Sequence, residues 1–171
     1  MKTKISTIAL LALLSAVAGQ TVFAATVAEQ PLTVNIKRLS LDTALRIGKA
    51  AIDKCRKEGV QIAVTVVDRG GHAQVMLRDV LAMDLSIPIS KMKAYTAMSF
   101  NAPTSDLANR FEGAYSVPKV NELIIAPGGV PISVAGNIMG GIGVSGAPSG
   151  LTDEVCAKAG LAAVLEDLEL E

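Results

Sequence analysis

The sequence predicts an α+β domain in which an antiparallel sheet of about five strands is flanked by helices. Three observations support this fold class. Two pairs of apolar strands are each joined by a tight, glycine-containing turn, which is typical of β-hairpins. Segments with the three-four spacing of a buried helical stripe lie at both ends of the domain. The chain has 171 residues, half of them hydrophobic, which fits one folded domain and excludes a disordered or fibrous protein.

The N-terminus has the pattern of a secretory signal peptide, residues 1–24. Lys2 and Lys4 supply the positive start, residues 8–18 form an apolar run, and Val22-Phe23-Ala24 places small residues where a signal peptidase acts. A membrane-spanning helix needs about 20 apolar residues, which this run does not reach. We therefore expect cleavage after Ala24 and a periplasmic or secreted protein, with no membrane segment in the mature chain.

The rest of the chain is interpreted as an extended leader, residues 25–38, and one domain, residues 39–171. Ser40 is suited to cap the first helix of the domain, and Asp68-Arg69-Gly70-Gly71 has the composition of a tight turn between two strands. The elements predicted in the first half are a helix at 41–57, strands at 60–67 and 73–78, and a helix at 85–100.

A second hairpin and a terminal helix are predicted in the second half. Gly136-Asn137 tolerates positive φ at both positions and therefore suits a hairpin turn. Thr152 is suited to cap the last helix, and Asp153 and Glu154 suit the positive end of that helix. The other elements predicted here are a short helix at 104–111 and strands at 121–126, 132–135 and 138–144.

Composition and motifs exclude several functional classes. The 16 basic residues balance 16 acidic ones and only 3% of residues are aromatic, whereas a nucleic-acid-binding protein would show basic charge and stacking rings. The chain contains no Walker loop, GxSxG elbow or HExxH motif. Gly140-Gly141-Ile142-Gly143 lies on a predicted strand with no helix after it, unlike a dinucleotide-binding loop. One histidine and two cysteines are poor provision for a catalytic zinc.

Cys55 and Cys156 lie on the small-residue faces of the first and last long helices. Small faces permit close helix approach, so the two thiols could meet if these helices pack side by side. An oxidising compartment would permit a disulfide between them. The alternative is two buried free thiols that behave as small apolar residues.

His72, the only histidine, follows a Gly-Gly turn at the start of a strand, where a ligand could reach it. Imidazole is a common axial ligand of haem iron, and a methionine thioether can supply the second position. The alternative is a solvated turn residue, with the methionines filling gaps in the core. The candidate methionines are Met76, Met83, Met92, Met98 and Met139.

Four motifs in order resemble those of the GlcG/HbpS family, whose relatives include the C-terminal domain of PduO-type corrinoid adenosyltransferases. The motifs are Val66–His72, Lys93–Ala97, Pro127–Ile132, and Gly140–Gly146 followed by Asp153-Glu154. The resemblance covers residues 39–165. It implies an antiparallel sheet flanked by helices, assembly into homo-oligomers, often octamers, and haem binding in several members.

The resemblance also implies site residues. His72 matches the histidine that often follows two glycines in this family, and is the candidate iron ligand. Lys93 and Thr96 match the helix motif and are expected to line one cleft with the Gly128-Gly129 turn. Family members often have Arg-Met-Asp after the second strand, whereas this chain has Arg78-Asp79-Val80, so no role is inherited for that loop.

The sequence therefore predicts an exported protein that binds haem or a related tetrapyrrole. Arg69 or Arg78, near His72, would meet the charge of the haem propionates, and aliphatic strands would supply the apolar slot. One alternative is a small-molecule enzyme that uses His72 and Asp68 as an acid/base pair. The other is a partner-binding module without a cofactor.

Overall fold

The computed structural model of the protein describes residues 30–111 and 117–171. The chain separates into two units, residues 1–34 and 35–171. The predicted signal peptide lies outside the described residues, and residues 30–34 form neither helix nor strand. Among the described helices, none combines the length and the apolar character that a bilayer crossing requires.

The second unit contains four helices and four strands among its described residues, together with two short 3-10 turns. Their order is α1 (Leu41–Lys57), β1 (Ala63–Asp68), β2 (Ala73–Arg78), α2 (Ser86–Phe100), 3-10 turns at Thr104–Leu107 and Val117–Lys119, β3 (Gly129–Val134), β4 (Asn137–Ser145), α3 (Gly150–Ala162) and α4 (Leu165–Glu169). The predicted α+β class is confirmed.

The strands form one antiparallel sheet in the order β2-β1-β4-β3. Asp68, the last residue of β1, pairs with Gly140 near the start of β4. The turn between β1 and β2 and the turn between β3 and β4 therefore lie at the same end of the sheet. This end carries the candidate site described below.

The described sheet has four strands where the sequence predicted about five, because residues 121–126 form turns and loop. Glu122 adopts a φ of 70°, which a strand does not accommodate. The N–H of Ile124 donates to Thr96 Oγ1 at 3.0 Å. A side chain of α2 therefore takes the backbone donor that strand pairing would have used.

Helices cover both faces of the sheet. Val64 and Val66 of β1 face the main core, which α1 and α3 complete, whereas Val67 packs against Ala94 and Met98 of α2. Thr65 faces the same way as Val67, and its hydroxyl is hydrogen-bonded to Ser90 Oγ at 2.8 Å. Because both faces are covered, every residue of β1 is buried.

The last long helix begins earlier than predicted. Its cap is Ser149, whose Oγ accepts a hydrogen bond from the N–H of Leu151 at 3.2 Å, and Thr152 lies inside the helix. Asp153 and Glu154 are in the first turns as expected, but their side chains are buried. Their partners belong to α2, to the 3-10 turn after it, to the loops before β3 and α3, and to α3 itself, as described in the next section.

Candidate functional site

A groove of about 720 Å³ lies at the end of the sheet that carries both hairpin turns. One wall is residues 35–38, and the others come from the two turns. Three cationic side chains line it: Lys37, Arg38 and Arg69. Ile36 and Ile138 contribute aliphatic surface. The groove thus combines positive charge with an apolar contact area, which suits an anionic ligand with an apolar body.

Asp68 organises the turn beside this groove. Its Oδ1 accepts hydrogen bonds from the N–H groups of Gly70 at 2.8 Å and His72 at 3.0 Å, and its Oδ2 lies 3.4 Å from Arg38 Nη1. Burial alone would raise the pKa of Asp68, but the His72 and Gly70 N–H groups and the Arg38 guanidinium outweigh burial and lower this pKa. Asp68 is therefore a carboxylate at neutral pH.

His72 projects from this turn into water, with its side chain 82% exposed. Its Nδ1 lies 3.5 Å from Asp68 Oδ1. Gly71, directly before it, has a φ of 83°, and a Cβ at this position would come within 2.6 Å of the Tyr95 ring. Gly71 is thus required for a turn that passes close to α2 and presents the imidazole at the surface.

The two arginine candidates lie at opposite ends of the sheet. Arg69 lines the groove, and its Nη1 lies 3.8 Å from the sulfur of Met98. Arg78 pairs with Ala63 at the start of β1, and its Nη1 donates to the carbonyl of Ala82 at 2.6 Å. Arg69 is therefore positioned beside the groove and Arg78 is not.

Arg38 and Lys37 were not among the residues chosen from the sequence. They belong to the predicted leader, where nothing local distinguishes them from other surface cations. The signal that identifies Arg38 is its contact with Asp68, 30 positions later in the chain. Only the tertiary structure supplies this contact.

Lys93 lies in a different place, in the interior between α2 and α3. Its side chain is 5% exposed, and its Nζ donates to the Val144 carbonyl at 3.0 Å and to Asp153 Oδ2 at 2.8 Å. Burial raises the pKa of Asp153, and the hydrogen bonds from Lys93 and the Ala147 N–H oppose this effect. The backbone of Gly128 lies directly against the ammonium group, since a Cβ at this position would come within 2.7 Å of the Nζ, and this leaves little room for an additional ligand.

Of the other residues of the predicted cleft, the Gly128-Gly129 turn lies against Lys93, whereas Thr96 contacts Met92 and Ile124. The N–H of Gly129 donates to Thr104 Oγ1 at 2.8 Å, and a Cβ at Gly129 would collide with the Lys93 carbonyl. Thr96 donates to the Met92 carbonyl at 2.8 Å and accepts from Ile124. The structure thus brings Lys93 and the Gly128-Gly129 turn together, but in the described ranges no hydrogen bond or ion pair joins them or Thr96 to the 68–72 turn.

Glu154 is a second buried carboxylate whose partners the sequence did not reveal. Its Oε1 accepts from Ser105 Oγ at 2.9 Å and Lys158 Nζ at 2.8 Å, and its Oε2 lies 3.4 Å from the Gly128 N–H. Burial would raise the pKa of Glu154, but these donors outweigh burial and lower it. The available sequence signal was the adjacent acid pair at the start of a small-residue helix, which predicted only favourable charge at the helix end.

Cys55 and Cys156 form a disulfide in the structure, with their Cα atoms 5.6 Å apart. Both residues are fully buried. The bond joins α1 to α3 on the face of the sheet opposite α2. It lies in the hydrophobic core and away from the groove.

Comparisons with known proteins agree on one family. The sequence model of the family of haem-degrading HbpS-like proteins matches residues 39–162. A structure of an HbpS double mutant from Streptomyces reticuli is 39% identical, with a TM-score of 0.75, and the match covers 82% of this chain and 97% of that one.

Two further relatives extend the comparison. The structure of a PduOC–haem complex is 26% identical, with a TM-score of 0.69, over 74% of this chain and 95% of that one. An uncharacterised 15.0 kDa protein from the dhaT-dhaS intergenic region of Citrobacter freundii is 32% identical over 116 residues, which is 65% of this chain and 82% of that protein.

Proposed function

The chain belongs to the family of haem-degrading HbpS-like proteins, and from this premise we propose that it binds haem in the groove between its two hairpin turns. The observation that carries the proposal is the exposed imidazole of His72, which projects from the same turn whose residues Arg69 and Gly70 line the cationic groove; His72 itself is not one of the lining residues. The related PduOC domain has been seen in complex with haem, which supports the same class of ligand here.

The residues at this site fit the chemical requirements of haem. An imidazole can ligate the iron, and Arg38, Arg69 and Lys37 can meet the two propionates. Ile36 and Ile138 offer aliphatic contact to the macrocycle. The groove volume of about 720 Å³ lies within the range of roughly 300–1,000 Å³ of small-molecule sites. Bound haem would supply a redox-active iron, and the residues of this chain would bind and orient it.

We also propose that the protein is exported and assembles into a homo-oligomer. Residues 1–24 have the three regions of a signal peptide, and the Cys55–Cys156 disulfide suits an oxidising compartment. Oligomeric assembly rests on the family resemblance. Fractionation of the cells that produce the protein tests export, and light scattering of the purified protein tests assembly.

A hemin titration followed at the Soret band tests the proposed function. We expect a saturable spectral shift with the wild-type protein, and an affinity at least about tenfold weaker in His72→Ala, because the iron loses its ligand. Arg69→Gln should also weaken binding. Arg78→Gln is the matched control, because Arg78 lies at the other end of the sheet and should leave the affinity unchanged.

Two results would contradict the proposal at different levels. Wild-type protein that binds hemin no better than an unrelated apolar protein would exclude haem binding and favour the cofactor-free module. Specific binding that survives in His72→Ala would retain haem as the ligand and reject His72 as the residue that holds the iron.

A further inference from the structure

We propose that Asp68 is the positioning residue of this site: its carboxylate holds the proton of His72 on Nδ1, so that Nε2 presents its lone pair outward to a metal. The proposal rests on the proposed haem function for the identity of that metal. The preference of the imidazole for one protonated nitrogen, however, is a property of the protein alone and can be measured without haem.

The first step is that Asp68 fixes the backbone from which His72 projects. Asp68 ends the buried strand β1 and pairs with Gly140, so its position is set by the sheet. Its Oδ1 then accepts from the N–H groups on both sides of Gly71, at 2.8 Å from Gly70 and 3.0 Å from His72. One carboxylate oxygen therefore closes the turn.

The second step is that this same oxygen faces the imidazole. Nδ1 of His72 lies 3.5 Å from Asp68 Oδ1, on the inner edge of a ring whose side chain is 82% exposed. A carboxylate attracts a protonated nitrogen and repels a lone pair, so the neutral ring carries its proton on Nδ1. The outer nitrogen, Nε2, is then the one with a lone pair. Metal-binding histidines usually show this arrangement, with the second nitrogen donating to a carboxylate or a carbonyl.

The third step concerns the other carboxylate oxygen. Asp68 Oδ2 lies 3.4 Å from Nη1 of Arg38, a residue that lines the groove. The Arg38 side chain is 60% exposed, and among the described residues Asp68 is its one hydrogen-bond partner. Asp68 thus orients both an iron ligand and a cation for the anionic edge of the ligand.

Nitrogen NMR on the tag-free, full-length protein tests the inference directly, because the chain has a single histidine. With ¹⁵N-labelled histidine at a pH where the imidazole is neutral, we expect the Nδ1–H tautomer to predominate. Free histidine favours Nε2–H instead. A predominant Nε2–H tautomer in the wild-type protein would overturn the proposal, whatever the result of the hemin titration.

Asp68→Asn supplies the second test. An asparagine keeps an oxygen that can accept the two backbone N–H groups of the turn, but it removes the negative charge. We expect the tautomer to shift toward Nε2–H, hemin affinity to fall by about 10–100-fold, and the reduction potential of bound haem to rise, because the imidazole becomes a weaker electron donor.

Asp79→Asn is the matched control, since Asp79 is a buried aspartate held by Arg56 at the other end of β2. It should leave the tautomer and the potential unchanged. If wild-type protein binds hemin through His72 and Asp68→Asn changes neither tautomer, affinity nor potential, Asp68 has no positioning role although the proposed function stands. If wild-type protein does not bind hemin, the proposed function fails, and the tautomer still decides the role of Asp68.

Discussion

Lys93 of α2 and His72 of the first hairpin turn are both polar, but they differ in burial and therefore in role. Lys93 is 5% exposed and bonded to Asp153 and to the Val144 carbonyl, whereas His72 is 82% exposed, with Asp68 Oδ1 3.5 Å from its Nδ1. A buried charge must be paired to be tolerated, so the Lys93 ammonium group already has its partners. The imidazole of His72 retains a free edge for a ligand.

Replacement of Lys93 should therefore affect stability before it affects binding. We expect Lys93→Met to lower the free energy of unfolding by about 3–5 kcal/mol, because Asp153 is left buried without its partner. Adding Asp153→Asn should recover part of this loss, since the amide can still accept the Ala147 N–H without carrying a charge. Urea denaturation at neutral pH measures both changes.

Hemin titration of the same variants distinguishes this role from cofactor contact. A folded Lys93→Met protein should bind hemin as wild type does. A loss of affinity without a loss of stability would contradict the structural role and favour the cofactor contact predicted from the family motif.

At the scale of elements, α2 packs unusually closely on the sheet because β4 contains glycines where the helix crosses it. A Cβ at Gly141 would collide with the Ala94 carbonyl, and a Cβ at Gly143 would collide with the Ser90 carbonyl. Both obstacles are helix backbone, which cannot move aside as a flexible side chain can. The glycine-rich segment, which the sequence placed on a strand and not in a dinucleotide-binding loop, therefore serves the packing of α2, which in turn carries Tyr95 and Met98 beneath the His72 turn.

Gly143→Ala tests this close approach. We expect it to lower the free energy of unfolding by about 1–3 kcal/mol through overpacking, measured by urea denaturation. Gly48→Ala in α1 is the matched control. The nearest atoms to its Cβ would be side-chain methyl groups, of Leu77 at 3.3 Å, Val75 at 3.5 Å and Val64 at 3.8 Å. Alanine also favours a helix, so the stability of this variant should stay within about 1 kcal/mol of wild type. Equal losses in the two variants would contradict the packing argument.

At the scale of the whole molecule, the disulfide closes a loop that contains most of the domain. Cys55 and Cys156 are separated by 101 positions, and the bond joins α1 to α3 within the main core. A closed loop of this length restricts the unfolded chain strongly, which stabilises the folded protein relative to it. The groove lies at the end of the sheet, so the bond acts on stability and not on the site.

Removal of the disulfide should thus destabilise the protein without changing its affinity for hemin. We expect Cys55→Ala/Cys156→Ala to lower the free energy of unfolding by on the order of 4–5 kcal/mol, and reductant to do the same to wild type. The double variant should be insensitive to reductant. If reductant still destabilises the double variant, or if the double variant is as stable as wild type, the bond does not contribute to the free energy of unfolding.

Much of the fold could be predicted from the sequence because the signals were local. Strand alternation and glycine turns placed both hairpins, and Ser40 does cap α1, with its Oγ accepting from the Thr43 N–H at 3.2 Å. The second turn is Ala135-Gly136, one residue earlier than predicted, with φ of 48° and 79°, and Asn137 already pairs with Val134. The predicted strand at 121–126 was wrong because Thr96 of α2, distant in sequence, takes the Ile124 N–H. Local pattern could not reveal that competitor.

The candidate site likewise has features that the sequence predicted and features that only the tertiary structure revealed. The sequence by itself determined the antiparallel α+β class, the Gly-Gly turn and the single histidine that follows it, since turn chemistry and periodicity depend on neighbouring residues. Only the tertiary structure decided that Arg38 meets Asp68 and that Lys93 is held by Asp153, 60 positions later. Whether a charged residue faces a groove or a buried partner depends on which distant segments pack around it, and that packing exists only in the folded chain.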